Sequence, residues 1–128
     1  MSNWRLTSCG LALTVAMTPA QAWAAPPKSK VVDVLIASAK KEFAAGNFQR
    51  AGELFLEIYR QDRTNPVALI NAGRAYQFAG KLDRATELYS DLLAMPNLDP
   101  ADRGRAEAWL AEIAENKAEA LADSASEA

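Results

Sequence analysis

The chain repeats itself at a period of 34 residues. Laid over residues 66–99, residues 32–65 match at eight positions: Leu35/Leu69, Ile36/Ile70, Ala45/Ala79, Gly46/Gly80, Arg50/Arg84, Ala51/Ala85, Glu53/Glu87 and Leu54/Leu88. Ordinary composition gives about two or three matches, at roughly 7% identity. Further pairs keep the residue type, among them Ala39/Gly73, Lys40/Arg74, Phe48/Leu82, Phe55/Tyr89 and Ile58/Leu92. A period of this size marks stacked supersecondary units, each unable to bury its apolar face alone. The chain is therefore restricted to a stack of like units, and the pattern inside a unit decides what each one is.

That pattern is helical. Leu69, Ala72, Gly73, Tyr76 and Ala79 form a stripe of period 3.6 that stops at Gly80, and Leu82, Ala85, Leu88, Tyr89 and Leu92 form a second. The first unit does the same with Leu35, Ala39 and Phe43, then Gly46, then Phe48, Ala51, Leu54, Phe55 and Ile58. Gly46 and Gly80 suit a left-handed helix C-cap, where a side chain is penalised. Turns this short predict antiparallel hairpins. Asn65-Pro66 and Asp99-Pro100, again 34 apart, each pair an N-cap residue with proline at the first helical position. A third unit thus starts in register but finds alanine, not glycine, at position 114. It predicts one long helix over 100–122, with Ala106, Trp109, Leu110, Ile113 and Ala114 on one face, closing the end of the stack. Trp109 is expected to pack on Tyr89 and Leu92; the rival reading is an exposed self-association patch. Residues 123–128 read as a frayed tail.

The N-terminus has a different character. Arg5 precedes an apolar stretch within residues 6–18, Pro19 breaks it, and Ala20-Gln21-Ala22 and Ala22-Trp23-Ala24 follow. This is the charged, apolar, small-x-small order of a secretory signal peptide, and the apolar stretch is too short to span a bilayer as a helix. Residues 1–24 are expected to be removed, with cleavage after Ala24 favoured over Ala22, so contact with a membrane is transient and the chain is exported to the periplasm or beyond. A short polar leader over 25–30 is too rich in proline to be helical, and the helical domain spans 31–122.

These features resemble the tetratricopeptide repeat. The second unit shows Leu69-x2-Ala72-Gly73-x2-Tyr76 and then Ala85-x3-Tyr89; the first shows Ala39, Gly46 and Ala51-x3-Phe55. It departs from the family pattern at Glu42, where an aromatic is usual and Phe43 stands one place later, at Leu35 and Leu69 in place of tryptophan, and at Arg63 and Asn97 in place of proline. The resemblance covers about 90 residues. It implies an all-α fold: two helix hairpins, repeat 1 over 32–65 and repeat 2 over 66–99, and the capping helix.

Composition removes most chemistry. The chain has no histidine, and its single cysteine, Cys9, falls in the expected export segment. Zinc sites, disulfide frameworks and histidine-activated nucleophiles are therefore not expected, no glycine-rich phosphate loop is present, and no cofactor or metal is called for. With 14 basic against 16 acidic side chains, no cationic excess exists to release counterions from nucleic acid. Acids and bases alternate along polar helix faces, as solvated i,i+4 partners do.

Binding without catalysis is what remains. A stack of hairpins presents the first helix of each pair along a concave wall suited to peptides or protein partners. On those helices Ile36, Lys40, Phe43, Asn71, Arg74, Gln77, Phe78 and Arg105 are expected to face the groove or its rim, with Lys40 and Arg74 forming a basic row. Some members of the family that the chain resembles hold a peptide's terminal carboxylate with five groove residues; Asn71 and Arg105 match two of those places, while Ile36, Lys40 and Ala101 occupy the others. With fewer than the roughly three repeats that stability usually needs, a homodimer is conceivable, and a structural or self-assembling subunit of an envelope complex is the alternative reading.

Overall fold

The computed structural model describes residues 28–127; the expected signal segment 1–24 and residues 25–27 lie outside the described residues. Five helices follow one another: α1 Lys28–Ala44, α2 Phe48–Gln61, α3 Pro66–Phe78, α4 Leu82–Leu93 and α5 Pro100–Ser126. Each packs chiefly on its neighbours in sequence, α1 on α2, α2 on α3, α3 on α4 and α4 on α5. The result is two antiparallel hairpins laid side by side, closed by α5, as the period requires.

The helix ends are built twice from the same parts. Gly46 and Gly80 adopt φ of +82° and +75°. At the first, the Gly46 N–H donates to Phe43 O and Asn47 N–H to Glu42 O, at 3.1 and 2.9 Å. At the second, Gly80 donates to Gln77 O and Lys81 to Tyr76 O, at the same distances. Both are Schellman closures, which satisfy last-turn carbonyls and need a residue that tolerates positive φ. At the N-termini, Asn65 Oδ1 accepts from Val67 N–H at 3.0 Å and Asp99 Oδ1 from Ala101 N–H at 2.7 Å. Pro66 and Pro100 follow, where a missing N–H does no harm.

The core lies between the hairpins. Leu69, Leu88, Tyr89, Leu92, Ile58 and Ile113 are its largest fully buried side chains, each worth about 1.5–3 kcal/mol of apolar burial. The central α3 buries residues on nearly every side, including Ala68, Leu69, Ile70, Ala72, Gly73, Ala75 and Tyr76, because α2 covers one flank and α4 the other. By contrast α5 buries only Ala106 and Ile113. Trp109 packs on Tyr89 as expected, with ring centroids 5.3 Å apart. It is half-buried, so it is no bare self-association patch.

Two boundaries differ from expectation. Helix α1 begins at Lys28, inside the segment read as a non-helical leader. Proline bars a helix interior but not the residues after it, and Lys28-Ser29-Lys30 carry nothing that resists helix. Helix α5 continues to Ser126, through the segment read as a frayed tail. No glycine or proline interrupts residues 105–126, and the hydroxyls of Ser124 and Ser126 donate back to the Ala120 and Asp123 carbonyls at 2.9 Å.

Candidate functional site

The 34-residue step places α1 and α3, the first helices of the two hairpins, next to each other on one face. Between them opens a cleft of about 370 Å3 lined by Lys40, Phe43, Ala44, Phe55, Asn71, Arg74 and Phe78. Lys40 and Arg74 stand one repeat apart in sequence and come together on its wall. Three phenylalanines form a continuous aromatic surface here. Phe43 meets Phe48 and Phe78 edge-on at 5.1 and 5.6 Å between centroids, and Phe48 stacks on Phe78 at 5.4 Å. Edge-to-face and offset pairs of this kind add to the area term because ring edges carry positive charge and faces negative.

Arg74 is held from several sides. Its guanidinium lies 4.8 Å from the Phe78 centroid and 4.9 Å from that of Trp109. It donates to Gln77 Oε1 at 2.9 Å and stands 4.0 Å from Glu112 Oε2. Gln77 Oε1 also accepts the Tyr89 hydroxyl at 3.0 Å. Burial pushes the Tyr89 phenol well above its ordinary range, with Arg74 opposing that shift only in part. Tyr89 is therefore a neutral donor that fixes Gln77, and Gln77 in turn fixes Arg74. Lys40 is exposed and makes no ion pair among the described residues.

Five of the eight residues expected at the groove are thus brought together: Lys40, Phe43, Asn71, Arg74 and Phe78. Gln77 lies behind them as a support. Ile36 is half-buried and packs against the core. Arg105 is exposed at the start of α5, paired to Asp102 at 2.9 Å, and does not line the cleft. Asn71 and Arg105, the two matches to a terminal-carboxylate grip, are therefore not both in this cleft. Sequence reasoning missed Phe55 and Ala44 as lining residues. By its spacing Phe55 belongs to the core stripe of α2, and that spacing alone does not reveal that one edge reaches the cleft. Phe48 belongs by its spacing to the same stripe, although its position after Gly46, opposite Phe43, is a usable signal of the ring cluster.

The lining contains no hydroxyl, thiol, imidazole or carboxylate. Its polar groups are an amine, an amide and a guanidinium, which makes the rim rich in hydrogen-bond donors over an aromatic floor. Such a surface receives a carboxylate or carbonyl that carries an apolar neighbour. Among the described residues no group of three or more His, Cys, Asp or Glu is placed to hold a metal, and no helix is long and apolar enough to cross a membrane. A larger cavity, about 630 Å3, lies at the opposite edge between the loops that follow α2 and α4, lined in part by Tyr59, Arg63, Asp91 and Met95. Its two charges are of opposite sign, and Arg63 is stacked on Tyr59 at 5.5 Å.

A model of the family described as tetratricopeptide repeat matches residues 42–110, more than half of the chain. No curated protein and no solved structure matches.

Proposed function

The chain belongs to the tetratricopeptide repeat family, whose members generally mediate protein–protein interaction and are typically non-catalytic, and from that premise we propose that it docks a peptide or protein partner in the α1–α3 cleft, in the cell envelope. The observation that carries this reading is the cleft itself: an aromatic floor of Phe43, Phe55 and Phe78 under the donors Lys40, Asn71 and Arg74. It fits a segment with one apolar anchor beside an acidic group, because the anchor is desolvated by the rings while the carboxylate gains charge-assisted hydrogen bonds. The envelope location follows from the signal-like order of residues 1–24.

The test leaves the fold alone. Lys40 is exposed and Asn71 half-buried, whereas Arg74 bridges α3 to α5 and is a poor probe. A Lys40→Glu/Asn71→Ala variant, matched to wild type by circular dichroism, is used beside it to capture partners from an envelope extract and to titrate peptides bearing an aromatic–acidic pair. Loss of capture and a rise of at least tenfold in peptide Kd are expected. Identical captures from both proteins remove the cleft from consideration, and recovery of the protein in the cytoplasmic fraction removes the envelope location.

A further inference from the structure

We propose that two copies of the chain pair edge to edge, each laying the free end of α5 across the Phe43–Phe48–Phe78 cluster of the other. The starting point is where α5 goes. The face of α5 that packs on the stack runs through Ala106, Leu110 and Ile113 and continues at the same helical spacing through Lys117 to Leu121. Lys117 reaches Asp83, at the first turn of α4. Beyond it the stack has ended. From residue 118 to residue 127 every residue is exposed, and Leu121 most conspicuously, at 72%. Residues 118–126 therefore project about 14 Å past the body as a bare helix, although a helix this polar and unsupported has no packing of its own to hold it.

The edge from which it projects is the same one that carries the aromatic cluster. Asp83 lies just after the Gly80–Lys81 turn, and that turn and its repeat at Gly46–Asn47 bracket Phe43, Phe48 and Phe78. Phe78 is itself 53% exposed. One edge of the molecule thus holds both a ring cluster, with Phe78 uncovered and Phe43 and Phe48 half-buried, and an uncovered leucine on a projecting arm. Within one chain α5 packs chiefly on α4, whereas the rings stand on α1, α2 and α3, and Leu121 is left exposed.

Charge selects a second copy as the occupant. Every ion pair among the described residues uses acids other than those on the arm. Among the described residues Glu119, Asp123 and Glu127 form no ion pair with a basic group, and Lys40, Lys41 and Lys81 around the aromatic edge form none with an acidic one. The arm is acidic, and the edge that would receive it carries these three lysines against one acid, Glu42, whose carboxylate already accepts from Asn47 Nδ2 at 2.8 Å. A two-fold arrangement satisfies both patches twice with one type of contact, which is how isologous dimers close. Leu121 is the anchor entering the ring cluster, and the charges form the rim around it. The proposal stands apart from a peptide ligand for the cleft, although the two uses share Phe43 and Phe78 and would compete.

Sedimentation velocity over a concentration series tests it. Wild type is expected to dimerise, with affinity falling as salt rises, since separated charges are screened over about 10 Å at 0.1 M. Leu121→Glu removes two buried leucines per dimer, and a rise of about a hundredfold in dissociation constant is expected; the residue is so exposed that the monomer fold is untouched. A photo-crosslinker at position 121 should attach to residues 43–48 or 78–81 of the other copy. A wild type that stays monomeric throughout, a dimer indifferent to Leu121→Glu, a dimer tightened by salt, or crosslinks to another face each overturn the proposal. Leu121 does not line the cleft, so peptide capture by Leu121→Glu reports separately on the reading above.

Discussion

Gly73→Ala should destabilise the protein even though alanine is the better helix former. A Cβ built on Gly73 falls 2.9 Å from both Cδ1 and Cζ of the Tyr89 ring and closer still to Cε1, well inside van der Waals distance. The ring has nowhere to move: Tyr89 is wholly buried, its hydroxyl donates to Gln77 at 3.0 Å, and its outer face carries Trp109. Overpacking of a rigid site costs about 2–3 kcal/mol, and displacing the hydroxyl from Gln77 adds about 1 kcal/mol. Against this, replacing a helical glycine with alanine contributes about 1 kcal/mol. The net expectation is a loss of about 2–3 kcal/mol, or roughly 10–20 °C in Tm for a domain of this size. The first repeat shows why this is local to the second. Ala39 stands where Gly73 does, and its counterpart ring is Phe55, which lacks the hydroxyl that ties Tyr89 down. Gly104→Ala provides the control, because a Cβ there meets nothing within 4 Å, and it should stabilise by up to about 1 kcal/mol. Thermal and urea unfolding of both variants decide the matter. If Gly73→Ala melts at or above wild type while Gly104→Ala rises as expected, the close approach of α3 to the Tyr89 ring is wrong.

Other outcomes follow from the same structure. Asn65→Ala and Asp99→Ala should each lower stability by about 1 kcal/mol by urea unfolding, whereas Asn47→Ala should cost much less, because Asn47 makes no side-chain cap bond. Stability should fall as pH rises past about 10, the ordinary tyrosine pKa. Tyr89 is held neutral in the folded state with its pKa raised, so its contribution is complete below the unfolded value and is lost progressively above it. Tyr89→Phe should flatten that alkaline slope in melts taken between pH 8 and 11. The Asp62 carboxyl accepts from the Thr64 hydroxyl and N–H at 2.6 and 3.0 Å, which lowers its pKa. Its contribution is present above the ordinary aspartate pKa and lost as pH falls through the lowered one. Thr64→Val should raise the Asp62 titration midpoint seen by NMR.

The sequence by itself determined the helices, their pairing and the ends that face another helix across a turn. Each of these is written within a turn or two of chain: period 3.6 at Leu69, Ala72 and Tyr76 makes a helix, Gly46 and Gly80 close helices, and Asn65-Pro66 and Asp99-Pro100 open them. Recurrence at 34 residues then put Lys40 beside Arg74, because a regular stack brings equivalent positions together, whereas Phe43 and Phe78, 35 apart, meet only through the packing of their rings. Only the tertiary structure decided what those side chains do there. Arg74 reads from sequence as a free groove cation, yet it is clasped by Phe78, Trp109, Gln77 and Glu112, three of which lie on α5 or depend on Tyr89. Arg105 reads as a groove residue, yet the third unit supplies a single helix and its start lies outside the cleft. The reach of α5 to Ser126 and the start of α1 at Lys28 were equally hidden. Local signals bar or permit a helix at such ends without saying what it will meet. A side chain's partners belong to helices far away in sequence, and close packing selects among them only once every helix is in place.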